Sequence, residues 1–103
     1  MRDLTKQKAW RSDAYLAWVK QQPSCISGRP SDDAHHIKLH GFGGTVKAPD
    51  WATIPLTRLE HTHWHSVGWV HFEECYGSQL EHVALTLGRA IQEGIIKIID
   101  HEP

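Results

Sequence analysis

A chain of 103 residues, with 40% hydrophobic and 22% charged side chains and a formal net charge of −1, fits one globular domain and leaves no room for a second core. No stretch has the apolar length of a transmembrane helix, and the opening MRDLTKQKAWRSD lacks the apolar core of a secretory signal. The expected address is cytoplasmic, with no membrane partner.

Charge is unevenly spread. Residues 1–29 carry six basic side chains against two acidic ones, whereas residues 61–103 carry two against six. The front end could touch phosphates and the back end could not, although a plain solvated surface is the blander reading of the charge alone. The two cysteines, Cys25 and Cys75, lie too far apart in sequence to suggest a disulfide framework or a zinc motif. Cys75 reads as a small core hydrophobe.

In chain order, residues 1–11 are polar and read as a flexible basic arm, and residues 12–103 as a single domain. Ser12 is a candidate N-cap for a short helix through Ala14–Val19 that ends before Pro23. Residues 22–33 are turn-rich. Ala34–Leu39 reads as a short strand, His40–Pro49 as a glycine-rich loop and Asp50–Leu56 as a second strand. Arg58–His65 contains no helix breaker, and a further helical stretch runs from Trp69 to Cys75, before Gly77.

Ser78 with Glu81 forms a capping-box pattern for a last helix. Along it, Leu80, Val83, Ala84, Leu87, Ala90 and Ile91 recur at helical spacing, and Gly94 closes it. The tail IIKII reads equally as a strand or an apolar plug. The fold class expected is α+β: a short hairpin followed by a helix, with further flanking helices.

Histidine is the outlier of the composition. Six of the nine histidines fall within residues 35–65, and histidine is neither a good space filler nor a solubiliser, so a cluster points to ligands or proton transfer. Residues four apart on a helix share a face, so His61 and His65 can address one ion. A strand packed on that helix can supply a third ligand. Neighbours on a strand face opposite ways, so His35 and His36 suit one metal ligand and one base.

In a chain with nine histidines roughly one such i,i+4 pair arises by chance. His36 with His40 is one, and a glycine follows it at once. The ordered combination of HH, glycine-rich loop, strand and H-x3-H carries the weight. His63 faces away from the pair, and His71, His82 and His101 receive no role.

From Trp10 to Ile95 the segments WRSDAYLAWVK, DDAHHIKLHGFGG, APDWATIPLTRLEH and FEECYGSQLE resemble, in the same order, the Ref-type recombination-enhancement nucleases of phages and lambdoid prophages. These form a branch of the HNH superfamily. The resemblance implies an HNH ββα-metal core and a metal-dependent DNA endonuclease or nickase of a bacterial host cell. Its partners would be DNA and a RecA-type recombinase filament.

By position it makes His35, His61 and His65 the metal ligands, His36 the general base and Asp50 the residue that orients it. One divalent ion (Mg2+, Mn2+ or Zn2+) is implied. Read from the residues themselves, Gly41, Gly43 and Gly44 would let backbone approach DNA, although a plain turn is the blander reading, with Lys38, Lys47 and Arg58 as phosphate contacts. A structural zinc site usual in that family falls here on Ser24, Ser27, Thr57 and Glu60, which are not a zinc ligand set, so no structural zinc is expected. Five tryptophans are the expected compensation. The rival readings are a non-catalytic HNH-like module that binds DNA or protein, and a purely structural metalloprotein using the same histidines.

Overall fold

A computed structural model describes residues 9–38 and 48–99. Its elements run α1 (Asp13–Lys20), β1 (Asp33–His36), β2 (Thr53–Leu56), α2 (Arg58–Val67), α3 (Trp69–Tyr76) and α4 (Gln79–Gln92). This is an α+β arrangement in which a two-stranded antiparallel hairpin is the only sheet among the described residues.

Local chemistry accounts for the boundaries. The Ser12 hydroxyl accepts a hydrogen bond from the Tyr15 N–H and starts α1. Thr57 and Glu60 form a reciprocal capping box at the start of α2. Ser78 caps α4 by accepting from the Glu81 N–H. Gly68 and Gly77 hold φ of 85° and 89° between successive helices, a region closed to most side chains, and so permit the sharp turns that separate α2, α3 and α4.

Both strands are shorter than the hydrophobic pattern predicts. Residues 49–52 form a turn instead, with the Ala52 N–H donating to the Pro49 carbonyl and the Thr53 hydroxyl to the Asp50 carbonyl. The hairpin register pairs Asp33 with Leu56, Ala34 with Pro55, His35 with Ile54 and His36 with Thr53. Pro55 is tolerated because each strand of a two-stranded hairpin has a free edge.

Every residue of β2 is buried, so both faces of the hairpin are covered. One face belongs to the larger core of Ile37, Ala52, Ile54, Leu56, Trp64, Phe72 and Val83. On the other, Ala34 packs against the smaller cluster of Tyr15, Trp18, Val19 and Ala90. Leu87 of α4 touches both clusters.

Several expectations are corrected. The buried face of α4 is Gln79, Val83, Thr86 and Ala90, whereas Leu80 and Ile91 are exposed, because the apolar stripe is rotated from the one its hydrophobic residues mark. The IIKII tail forms no strand, and only Ile96 packs, against the smaller cluster. Cys75 is exposed on α3 and Cys25 is the more buried thiol, pushed up to about 12 by burial and then by the Glu60 charge. Of the five tryptophans only Trp18 and Trp64 are buried. No helix among the described residues is long and apolar enough to cross a membrane.

The four positions Ser24, Ser27, Thr57 and Glu60 converge as a hydrogen-bonded knot. The Ser24 hydroxyl donates to Glu60 Oε1 at 2.6 Å and accepts from the Ile26 and Ser27 N–H groups. The Thr57 N–H donates to the same Glu60 oxygen at 2.8 Å. Burial pushes the Glu60 carboxyl up, but these donors, with the Ser27 hydroxyl, outweigh it and hold the acid below its ordinary value. A side-chain knot fastens the start of α2 to the 24–27 turn.

Two substitutions test this account by urea unfolding. Glu60→Ala removes the side-chain half of the capping box and the buried Ser24 partner, leaving the Thr57 cap itself, and is expected to lower the unfolding free energy by about 2–3 kcal/mol, with Glu60→Gln milder. Gln79 is fully buried; its carbonyl accepts from the Trp64 indole and the Lys38 N–H, and its amide donates to the Lys38 carbonyl. Gln79→Leu strands these groups and is expected to cost about 2 kcal/mol.

Candidate metal centre

Alternation along β1 sorts its side chains. Asp33 and His35 face α2, whereas Ala34 and His36 face the other way. His35 is only 3% exposed. Its ring lies edge-on to Trp64 at 4.3 Å between centroids and to His61 at 4.5 Å. His61 and His65, one helical turn apart on α2, bring their Nε2 atoms to 3.1 Å. Ligand-capable atoms of His35, His61 and His65 all lie within 4.8 Å of one another. Two nitrogens on one tetrahedral zinc stand about 3.3 Å apart, so the spacing suits a shared ion.

One atom makes the case for an ion more sharply. His35 Nε2 is buried and has no hydrogen-bond partner among the described residues, a condition that ordinarily costs about 1–3 kcal/mol. The three imidazoles therefore fit a cation. Three imidazole nitrogens suit zinc and related first-row transition ions better than Mg2+, which prefers oxygen ligands. His65 is exposed and His61 half-buried, so the cluster opens to solvent on one side. Burial, followed by the neighbouring His61, His65 and His36, depresses His35 to about 3 and keeps it neutral, as a ligand must be.

The hairpin's other face carries a second pair. His36 Nε2 lies 2.9 Å from Asp50 Oδ1. Asp50 is buried, and its Oδ2 accepts from the Ser12 N–H at 2.8 Å while its Oδ1 accepts from Arg11 at 3.2 Å. Burial pushes this carboxyl up, but the His36, Ser12 and Arg11 hydrogen bonds prevail and hold it below its ordinary value. Arg11 also donates to the Ala48 carbonyl, and the Asp50 N–H donates to Trp10. The last residues of the basic arm are thus fastened to the site: residue 11 is a brace, where composition predicts a loose segment.

Of the expected DNA contacts, Gly41, Gly43, Gly44 and Lys47 lie outside the described residues, as does His40. Lys38 is exposed, with its backbone held by Gln79. Arg58 donates to both oxygens of Asp33, through Nε at 2.8 Å and Nη2 at 3.0 Å. Its guanidinium therefore braces a carboxylate, where the sequence offered it to phosphate.

Asp33 itself was not singled out by sequence. Its Oδ2 is also 3.0 Å from His61 Nδ1, and Arg58, then His61, overcome burial to hold its carboxyl down at about 2. The available signal was its position two residues before His35, hence on the same strand face. His63 is exposed beside Tyr76, His71 pairs with Glu74 and Cys75, and His82 meets the Tyr76 carbonyl.

A family profile described as "Protein of unknown function (DUF968)" matches residues 2–94. The chain belongs to the DUF968 family. This DUF968 chain is 42% identical over 94 residues to the Escherichia coli (strain K12) "Uncharacterized protein YdfU", an overlap of 90% of this chain and 27% of that protein. It thus spans little more than a quarter of that relative's length. No solved structure matches it.

The His35 environment makes stability pH-dependent. Between about pH 6.5, where a histidine in the unfolded chain titrates, and about pH 3, the folded protein holds fewer protons than the unfolded chain. This contribution is full above that window and is lost as pH falls through it. Asp33 adds a further loss only between 3.8 and about 2. In urea unfolding of metal-free protein, the midpoint should fall on acidification from about pH 6.5, and His35→Leu should flatten the part of the profile above the carboxylate range. An unchanged profile in that variant would mean that His35 is not the group responsible.

Proposed function

We propose that this DUF968 chain is a metal-dependent endonuclease that hydrolyses phosphodiester bonds in DNA from an HNH-type ββα-metal site. One observation carries the reading: three convergent imidazoles with a buried, unpartnered Nε2 on one face of β1, and a His–Asp pair at the adjacent position on the other. The hairpin β1–β2 followed by α2 is the arrangement that such a site requires. The resemblance to Ref-type nucleases points the same way and suggests action on recombinase-coated DNA.

His35, His61 and His65 would hold the ion. When bound, it would neutralise phosphate charge and stabilise the leaving oxygen. His36 is the general base. Its Nε2 is occupied by Asp50, which leaves Nδ1, unpartnered among the described residues, to accept a proton from the attacking water. As the water oxygen bonds to phosphorus the ester oxygen departs, and the imidazolium formed on His36 is stabilised by the Asp50 carboxylate. Asp50 also fixes the ring's tautomer and orientation, and Arg11 and the Ser12 N–H hold Asp50 in place. Backbone contacts to phosphate would dominate DNA binding, with little sequence preference.

Nicking of supercoiled plasmid by the purified chain, with Zn2+, Mn2+ or Mg2+ and with chelator, tests the proposal. Nicking is expected with an added ion and not with chelator. His36→Ala should slow it about 10²–10⁴-fold while leaving metal affinity nearly intact, whereas His61→Ala should weaken metal binding itself. Undiminished cleavage by His36→Ala removes His36 from the mechanism. Tight DNA binding by metal-loaded protein without turnover would favour the non-catalytic module.

A further inference from the structure

We infer that Asp33 is a positioning residue that presets His61 for metal binding. It holds the ring with its proton on Nδ1 and the Nε2 lone pair turned to the ion, so that metal entry leaves the tautomer of His61 unchanged and switches that of His65. The inference rests on the metal-site reading above and adds to it which ring is fixed beforehand and which must switch.

The donor and acceptor inventory leads there directly. A carboxylate has no proton to give, and both oxygens of Asp33 already accept from Arg58. The 3.0 Å contact between His61 Nδ1 and Asp33 Oδ2 is therefore a hydrogen bond donated by the imidazole. With the proton on Nδ1, neutral His61 has only a lone pair on Nε2, which is the atom 3.1 Å from His65 Nε2.

That contact in turn assigns His65 in the metal-free protein. One of the two nitrogens must donate; neutral His61 has no proton on Nε2 to give, so His65 carries its proton on Nε2. His35 offers a third nitrogen from the buried side. A shared ion displaces the His65 Nε2 proton, and His65, exposed to water, can take up a proton at Nδ1 in exchange. His61 needs no such exchange.

The support is built to hold this state. Asp33 is engaged on both oxygens, and its side chain is 18% exposed while that of Arg58 is 71% exposed. Arg58 reaches in from the helix surface to fix the carboxylate plane. Its own N–H donates to Asp32 Oδ2 at 2.8 Å, tying the start of α2 to the residue before β1. An outer carboxylate that orients a ligating histidine is worth about 10–100-fold in metal affinity.

Ring ¹⁵N NMR of the full chain at neutral pH, with and without Zn2+, reads this out. In metal-free protein His61 is expected as the Nδ1–H form and His65 as the Nε2–H form. On addition of Zn2+, His61 should keep its tautomer and His65 should switch to Nδ1–H. An Nε2–H form of His61 in the unaltered protein, or a switch at His61 on metal addition, overturns the inference. Should His61 be Nδ1–H but no ring respond to Zn2+, the metal-site reading fails while the role of Asp33 in setting the tautomer stands.

Zn2+ titration of Asp33→Asn and Asp33→Ala, with the melting temperature recorded alongside, supplies the second arm. Affinity should fall about 10–100-fold in Asp33→Ala. Asp33→Asn should recover part of it, because an amide oxygen can still accept from Nδ1–H. Unchanged affinity in a folded Asp33→Ala protein overturns the role. Loss of affinity in proportion to loss of stability alone, with the His61 tautomer unmoved, overturns it equally.

Discussion

A polar nitrogen sealed away from water with nothing to bond is among the least stable placements a side chain can adopt, and the rest of this site is arranged around one. His35 is pinned between the hairpin and α2 by Trp64, with its Nε2 unpartnered among the described residues. Its depressed basicity follows from the same burial. A buried neutral histidine with an unpartnered nitrogen, packed edge-on against His61 and His65, is unfavourable as packing, and under the proposed function coordination is what it is kept for. The fold accepts a local penalty, which the cation of the proposed function would relieve.

The two-residue periodicity of a strand then multiplies what one short segment can do. Within Asp33–His36, one face presents Asp33 and His35 to α2, and the other presents His36 to Asp50. Each face also has its own carboxylate–arginine support, Asp33 with Arg58 and Asp50 with Arg11. The supports differ in origin: Arg58 comes from the helix that carries the other ligands, whereas Arg11 comes from the segment leading into α1. The carboxylates on the two faces are therefore braced by arginines from separate parts of the chain, although His35 and His36 share one strand.

What could be read from sequence follows the same division. Ligand chemistry demands residue types that packing does not, so His35, His61 and His65 stood out by type, by i,i+4 spacing and by order along the chain. The Asp50 partner of His36 was reached only through the family resemblance, because residue type and spacing alone do not mark it. Asp33 and Arg11 were not, because an aspartate after Ser-Asp reads as a turn residue and an arginine in a polar arm reads as surface. Their roles arise from contacts 28 and 39 residues away, which no local pattern encodes. Helix starts were legible where a hydroxyl caps them. The strand limits and the buried face of α4 were not, since a side-chain bond from Thr53 and the rotation of a helix against a hairpin are decided by tertiary packing.

Helix α2 also explains how a small domain holds ligands steadily so close to a helix end. Terminal turns fray, yet His61 is only the fourth residue of α2. Glu60 ties that first turn to Ser24, and Arg58 ties it to Asp32 and Asp33 through bonds of 2.6–3.0 Å. Apolar contacts alone would leave the helix free to slide or rotate by fractions of an ångström, because they are non-directional. Hydrogen bonds to charged groups are directional and about twice as strong as neutral ones. Placed on either side of the first turn, they set the distance between His35 on the strand and His61 on the helix, and that distance determines whether an ion can be shared.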